Sequence, residues 1–213
     1  VSLRDASVLG YEALSRGPDG TDMESPDMLF AVAEEVHEIW ELERLCRTRA
    51  LSAFMSACVD TLLFLNVNPN VIGDAKFQKG FTRGSLGQFG IGPGRVVFEI
   101  TERTAAVNME EFKEVIRYYI GQQYKIAIDD AGAGYSGLNL ITDLTPHYLK
   151  LDMQLIRNID RDTVKQALVR SLQDFAKVTG TYLIAEGIET REELEKLIHI
   201  GVHYGQGYFI KRP

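Results

Sequence analysis

Short apolar runs rich in β-branched residues alternate with amphipathic stretches along nearly the whole chain of 213 residues. Such runs are typical of strands buried on both faces of a parallel sheet, and the stretches between them are typical of covering helices. The predicted strands span residues 8–12, 62–67, 96–101, 125–129, 148–151, 182–186 and 203–207. With residues 1–3 as the end of an eighth strand, the alternation predicts an α/β fold, a TIM-type (β/α)8 barrel whose first strand is truncated.

Helix signals lie between the predicted strands. Ser25 followed by Pro26 is typical of an N-cap with proline at the first helical position, and residues 190–193 match a capping box. The longest helical pattern covers residues 26–59 and predicts an amphipathic helix on the outside of the barrel. We expect residues 1–213 to form one domain, excised from a longer protein, because the chain begins without an initiator Met and stops abruptly.

The charge and the cysteine content exclude several classes of protein. A net charge of −7 argues against binding of a nucleic-acid polymer through a broad basic surface. Cys46 and Cys58 form no metal-type or redox pair, which favours a reducing, cytoplasmic setting. No apolar run approaches the roughly 18 residues that cross a bilayer, so we expect no membrane contact by this domain.

A polar or ionisable residue lies at or near the carboxyl end of every predicted strand. These residues are Glu12, Asn66, Glu99, Asp129 with Asp130, Lys150, Glu186 and Gln206. Any one of them has an ordinary structural explanation, as a strand-end group paired with a neighbour. A parallel barrel, however, brings all the carboxyl ends of its strands to one face, where barrel enzymes build their active sites. The series therefore predicts an active site at that face.

Five of these groups are carboxylates, and five negative charges at one barrel mouth would repel strongly unless cations lay between them. The oxygen ligands favour a hard cation such as Mg²⁺ or Mn²⁺, since the four histidines are scattered along the chain. Two such ions can activate a water molecule for in-line displacement at phosphorus. An acidic mouth with one lysine, Lys150, therefore predicts hydrolysis of a phosphodiester, but it does not identify the substrate.

A glycine pattern at residues 132–137 offers a different function. It matches the G-x-G-x-x-G fingerprint of dinucleotide-binding folds, and Asp152 follows twenty residues after Gly132. The helix expected after these glycines is short for one that caps a pyrophosphate, and Asp129 and Asp130 shortly before them would repel that group. We therefore disfavour a nicotinamide cofactor.

The motifs, taken in order, resemble those of the EAL phosphodiesterase family. Residues 11–16 (YEALSR) resemble the signature EAL-x-R, and residues 98–102 (FEITE) resemble the E-[IL]-T-E strand of the family. Residues 128–136 (IDDAGAGYS) are similar to its DDFGTGYSS loop. Three further matches follow at residues 150–152 (KLD), 185–190 (AEGIET) and 205–209 (GQGYF).

The resemblance implies a barrel with one strand reversed and hydrolysis of cyclic di-GMP to linear pGpG with Mg²⁺ or Mn²⁺. One ion would be held by Glu12, Asn66, Glu99 and Asp129, and a second by Asp129, Asp130 and Glu186. Lys150 would orient the attacking water, which Gln206 would border. Arg16 would contact a substrate phosphate and Leu14 would line the same pocket, while Glu189 would anchor the loop after Asp130.

Three questions stay open. Strand alternation puts Asn66 and Asn68 on the same face, and Asn66 is chosen only because the resemblance favours it. The Phe, Thr and second Ser of the family loop are replaced by Ala131, Ala133 and Gly137, which puts loop ordering and turnover rate in doubt. Alternative functions are a catalytically silent receptor for cyclic di-GMP and, less favoured, a purely structural interaction domain. We expect a homodimer with attached sensory or regulatory domains.

Overall fold

The computed structural model describes residues 1–57, 59–68, 71, 76–78, 80–101, 109–131 and 144–212. Within them, seven strands form one sheet in which every strand is parallel to its neighbours and the spatial order follows the chain. The strands are β1 (Gly10–Ala13), β2 (Leu62–Asn66), β3 (Val96–Thr101), β4 (Lys125–Ala131), β5 (Tyr148–Leu151), β6 (Tyr182–Ala185) and β7 (Tyr204–Gly205). The predicted strands and the barrel-type fold are confirmed, with several strand ends displaced by one or two residues.

Seven α-helices of the described residues lie between or after these strands. They are α1 (Pro26–Glu35), α2 (Ile39–Ser56), α3 (Phe81–Phe89), α4 (Met109–Gly121), α5 (Met153–Ile156), α6 (Thr163–Thr179) and α7 (Arg191–Ile200), with a 3₁₀ turn at Pro93–Arg95. The capping box before α7 is confirmed, since Thr190 Oγ1 accepts the Glu193 N–H and the Glu193 carboxylate accepts the Thr190 N–H. Among the described residues, no helix has the length and apolar character needed to cross a membrane.

The prediction of one helix over residues 26–59 is wrong, because α1 and α2 are separate. His37 adopts a left-handed conformation with φ 58° after the last turn of α1. The Glu38 N–H then bonds to the Ala33 carbonyl and the His37 N–H to the Glu34 carbonyl, which is the pattern of a Schellman termination. A glycine usually occupies this left-handed position, so a histidine there does not predict that the helix ends.

The segment before β1 runs in the opposite direction to the other strands. Ser2 forms an antiparallel bridge with Tyr204 of β7. Val1 and Gly205 exchange two backbone hydrogen bonds, of 2.8 and 2.9 Å, and the Leu3 N–H bonds to the His203 carbonyl at 2.9 Å. Residues 1–3 therefore pair with β7 through one antiparallel bridge and run opposite to the seven strands, in line with the one reversed strand that the family resemblance implied.

Among the described residues, buried apolar side chains form three clusters, two of which are layers against the sheet. The larger lies between the strands and the covering helices, and alternate residues of the strands point into it. The smaller layer fills the inside of the sheet and consists of Phe64, Val97, Ala127, Tyr148 and Ile184. Each of these five residues lies two positions before a predicted site residue. The same alternation therefore places the polar side chains inside the sheet, near the carboxyl ends of the strands.

Candidate active site

Lys150 lies at the centre of the polar cluster and is only 2% exposed. Its ammonium group faces the carboxylates of four different strands or strand ends. The Nζ atom lies 2.7 Å from Glu99 Oε1, 2.8 Å from Glu186 Oε1, 3.2 Å from Asp129 Oδ1 and 3.6 Å from Glu12 Oε2. One buried cation thus faces four carboxylates, which leaves an excess of negative charge at the site if all of them are ionised.

Amide side chains link the carboxylates around the rim of this cluster. Asn66 Nδ2 donates to Glu12 Oε1 at 3.2 Å. Gln206 Nε2 donates to Glu12 Oε2 at 3.1 Å and to Glu186 Oε1 at 2.7 Å. The structure therefore places Asn66 in contact with the site, whereas the Asn68 backbone N–H bonds to Glu43 on α2 at 2.8 Å.

Asp129 and Asp130 both reach the site although they are consecutive in β4. In a regular strand, neighbouring side chains point to opposite faces. Here the pairing of β4 with β5 shifts between Ile128 and Ala131, and Asp130 has a left-handed φ of 57°. This bulge places carboxylate oxygens of Asp129, Asp130 and Glu186 within 4.8 Å of one another.

Burial and the proximity of these charges shift the pKa values of the clustered groups. Burial raises the pKa of Glu186 to about 7, because the nearby Asp129 adds repulsion and Lys150 offsets only part of the cost. Burial also holds the pKa of Glu99 well above its usual range. Burial alone would lower the pKa of Lys150, but Glu99 and the other carboxylates outweigh it and raise that pKa well above its usual value. Burial opposes ionisation of Glu12 as well, but Lys150 and the Gln206 amide outweigh it and lower the pKa of Glu12.

A cleft of about 1410 Å³ opens beside this cluster, between β1 and β2 on one side and α1 and α2 on the other. Glu12 and Asn66 lie on its wall together with Leu14 and Arg16. Both Leu14 and Arg16 are at least partly exposed, and Arg16 Nη1 donates to the Ser15 carbonyl at 2.8 Å. The cleft exceeds the volume of most small-molecule pockets, so it has room for a ligand of dinucleotide size.

Glu189 lies beyond β6, outside the carboxylate cluster. Arg157, the residue after α5, binds its carboxylate through both Nη atoms, with Nη2 at 2.6 Å from Oε1. The prediction that Glu189 anchors the loop after Asp130 falls on residues 132–143, outside the described part of the chain. Ala133, Gly137 and the rest of the glycine pattern at residues 132–137 also lie outside the described residues, and so do Glu102 and Cys58. Ala131 is described and is buried at the end of β4.

Two contacting residues that sequence reasoning missed are Glu43 and Arg47 of α2. Their i,i+4 spacing is typical of an exposed ion pair on a helix surface. In the structure each is only 2% exposed, and Glu43 contacts the backbone that follows Asn66. The spacing does not predict whether a charged pair is buried, because exposed pairs have the same spacing.

The raised pKa of Glu186 has a consequence for stability. A carboxyl whose folded pKa is about 7 contributes stability that is fully present below its unfolded value of about 4.3 and is lost as the pH rises through 7. Without metal, the melting temperature of Glu186→Gln should therefore rise relative to that of the parent by roughly 3 to 8 °C between pH 5.5 and pH 8, because only part of the loss in the parent has occurred at pH 5.5. Calorimetry in EDTA at both pH values checks this.

The comparison of Glu186→Gln with the parent also removes an opposing contribution to the pH dependence of stability. Burial lowers the pKa values of His147 and His203, so both histidines favour folding as the pH rises. Since both are present in the parent and in Glu186→Gln, their effect cancels in the difference. A difference in melting temperature that stays constant between pH 5.5 and 8 would contradict the assigned pKa of Glu186.

Comparisons with known proteins agree with this geometry. The family model for the EAL domain matches residues 1–213. The chain is 30% identical over 192 residues to the cyclic di-GMP phosphodiesterase PdeB of Shewanella oneidensis, a match that covers 89% of this chain and 22% of PdeB. It is also 30% identical over 219 residues to an uncharacterized protein of Mycobacterium bovis, of which it spans 35%. The chain thus spans about a fifth to a third of the length of these curated relatives.

Solved structures show the same likeness. The cyclic di-GMP-bound form of a standalone EAL protein from Vibrio cholerae O395 is 30% identical, with a TM-score of 0.83 over 98% of this chain and 86% of that one. The manganese and cyclic di-GMP complex of Klebsiella pneumoniae BlrP1 is 30% identical, with a TM-score of 0.88 over 98% of this chain and 52% of that one. Because the family model covers every residue and these folds superpose along nearly the whole chain, the protein belongs to the EAL domain family.

Proposed function

We propose that this domain hydrolyses cyclic di-GMP to linear pGpG with the help of Mg²⁺ or Mn²⁺. The observation that carries the proposal is the convergence of Glu12, Glu99, Asp129, Asp130 and Glu186 around Lys150 beside a large cleft. Relatives named as cyclic di-GMP phosphodiesterases support the reaction, and complexes of related EAL proteins with cyclic di-GMP support the ligand.

The residues present fit divalent cations. Carboxylate and amide oxygens are the ligands that Mg²⁺ and Mn²⁺ prefer. Glu99 is 1% exposed, and its Oε1 atom lies 2.7 Å from Lys150 Nζ, whereas Oε2 has no hydrogen-bond partner among the described residues. A buried carboxylate oxygen with unused acceptor capacity suits a metal ligand, since a buried acceptor without a partner is otherwise costly.

We assign one ion to Glu12, Asn66, Glu99 and Asp129, and a second to Asp129, Asp130 and Glu186. The second set is supported by its oxygens lying within 4.8 Å of one another. When bound, such ions lower the pKa of water and neutralise charge that develops on the phosphoryl oxygens. Glu12 and Asp129 thereby act in catalysis as well as in binding.

The remaining side chains would bind and orient. Lys150 keeps its proton on Nζ, because four carboxylates stabilise the charge, and it donates a hydrogen bond that orients the attacking water. Gln206 borders that water and holds Glu12 and Glu186 through Nε2. Arg16 offers a planar guanidinium to a substrate phosphate, and Leu14 packs against the nucleotide in the same cleft.

The product defines which bond breaks. Linear pGpG carries a 5′ phosphate, so the water oxygen bonds to phosphorus while the bond from phosphorus to the 3′ oxygen breaks. The leaving 3′ oxygen then gains a proton. Exclusion of bulk water around Glu99 and Lys150, which are 1% and 2% exposed, strengthens the electrostatic interactions along this path.

An assay of hydrolysis with and without metal tests the proposal. We expect the domain to convert cyclic di-GMP to pGpG with saturating Mn²⁺ and to lose at least about 10³-fold of that rate after exhaustive chelation. Chromatography of the products against a pGpG standard measures it, and re-addition of Mn²⁺ controls for irreversible damage by the chelator. Full activity after chelation would exclude the metal mechanism, and binding without hydrolysis would favour the receptor alternative.

Three further features remain proposals about the whole protein. We propose a homodimer, because two-fold pairing is the commonest assembly of soluble oligomers. Attached sensory or regulatory domains are supported by relatives that are longer than this chain. A cytoplasmic location is supported by the predicted substrate, a second messenger used inside bacterial cells.

A further inference from the structure

Helix α2 carries a charged pair that is almost completely buried. Arg47 Nε and Nη2 lie 3.0 and 2.8 Å from Glu43 Oε2, and both residues are 2% exposed. Burial of an ion pair is costly unless further hydrogen bonds use the remaining donors and acceptors. The partners of those remaining atoms therefore indicate what the pair does.

The second carboxylate oxygen of Glu43 holds the chain directly after β2. Glu43 Oε1 accepts the Asn68 N–H at 2.8 Å. The preceding residue, Val67, donates its N–H to the Glu99 carbonyl of β3 at 3.0 Å. The backbone that follows Asn66 is thus held by β3 on one side and by α2 on the other, so the Asn66 amide is fixed against Glu12.

Arg47 contacts the neighbouring strand from the same side. Its guanidinium lies over the Phe98 ring, 5.5 Å from the centroid, and Nη1 donates to Thr82 Oγ1 of α3 at 3.3 Å. Phe98 is completely buried and directly precedes Glu99. Because adjacent residues of a strand point to opposite faces, Arg47 packs against the outer face of β3 directly behind the site.

We propose that Glu43 and Arg47 are positioning residues, which hold Asn66 and Glu99 in place for a divalent cation. This inference rests on the proposed metal-dependent function. Neither residue reaches the cation; they act through the backbone of Asn68 and the ring of Phe98. Residues that orient metal ligands in this way typically change metal affinity 10- to 100-fold when they are replaced.

Two double variants separate the hydrogen bond from the charge. The acceptor-keeping variant, Glu43→Gln with Arg47→Met, retains an oxygen acceptor for the Asn68 N–H, whereas the acceptor-free variant, Glu43→Met with Arg47→Met, removes it. Gln and Met have nearly the same length, and replacing both partners avoids leaving one buried charge unpaired. We expect the acceptor-free variant to bind Mn²⁺ about 10- to 100-fold more weakly than the parent. The acceptor-keeping variant loses only the Arg47 contact with Phe98, so its affinity should lie between those of the parent and the acceptor-free variant.

Isothermal titration with Mn²⁺ in the absence of substrate measures this, and circular dichroism checks that both variants are folded. Kinetics should show a raised Mn²⁺ half-saturation in the acceptor-free variant and recovery of most of kcat at saturating Mn²⁺. Equal affinities in the two variants would overturn the inference alone. A parent protein that binds no Mn²⁺ would overturn the proposed function and, with it, this inference.

Hydrogen exchange in the unaltered protein provides a test that needs no variant to fold. If the contact from Glu43 and metal binding support each other, Mn²⁺ should slow exchange of the Asn68 amide by about tenfold. The Thr181 amide, which bonds to the Ala176 carbonyl ahead of β6, serves as the control and should slow less than the Asn68 amide. Unchanged exchange at Asn68 with bound Mn²⁺ would contradict a positioning role for Glu43.

Discussion

Replacement of Asp129 by Asn is expected to lower kcat for cyclic di-GMP hydrolysis by about 10³-fold or more at saturating Mn²⁺. Asp129 is the one carboxylate that we assign to both ions, so loss of its charge weakens both. Its Oδ1 atom also lies 3.2 Å from Lys150 and accepts the Asp130 N–H at 2.9 Å. Asn has the same shape and keeps that acceptor, so the bulge of β4 should persist.

Steady-state kinetics and Mn²⁺ titration of the two proteins provide the measurement. Asp174→Asn is a matched control, because Asp174 is an exposed carboxylate of α6 that forms a surface pair with Lys177, at 3.0 Å. The control should retain activity within about twofold, as surface pairs contribute little. Parental kcat in Asp129→Asn would show that Asp129 is not shared between two ions.

Replacement of Lys150 by Met should destabilise the metal-free protein more than any other change at the site. It leaves Glu12, Glu99, Asp129 and Glu186 without the cation that they all face. Removal of one partner from a buried charge cluster costs about 3 to 5 kcal/mol, which corresponds to a fall in melting temperature of roughly 10 °C. The loss should be greatest at pH 8 and smaller at pH 5.5, where the raised pKa values of Glu186 and Glu99 allow both groups to protonate.

Addition of Mn²⁺ should restore much of this stability without restoring activity. A divalent cation can neutralise the carboxylates, but the thioether introduced by Lys150→Met has no donor to orient water, so kcat should stay about 10²- to 10⁴-fold below the parent. Melting curves at both pH values, with EDTA or Mn²⁺, are compared with Lys177→Met, which removes an exposed lysine. Unchanged stability of metal-free Lys150→Met at pH 8 would contradict the central electrostatic role of Lys150.

The strands and the positions of the site residues followed from the sequence. Their apolar runs are short and β-branched, and burial on both faces of a parallel sheet leaves little choice of conformation. Period-two alternation then placed Glu99 two residues beyond Val97 and Lys150 two residues beyond Tyr148, on the inner face of the barrel. Local patterns sufficed here because each depends only on residues close in the chain.

Tertiary structure decided the features that depend on residues distant in the chain. Alternation alone would separate Asp129 from Asp130, and only the bulge opposite β5 brings both carboxylates to Glu186. The spacing of Glu43 and Arg47 looked like that of a surface pair until packing of α2 against β2 and β3 buried them. The end of α1 at His37 likewise could not be predicted, because no glycine occupies the left-handed position. In each case the deciding energy comes from desolvation and contacts between separate elements, which the order of residues within one element does not encode.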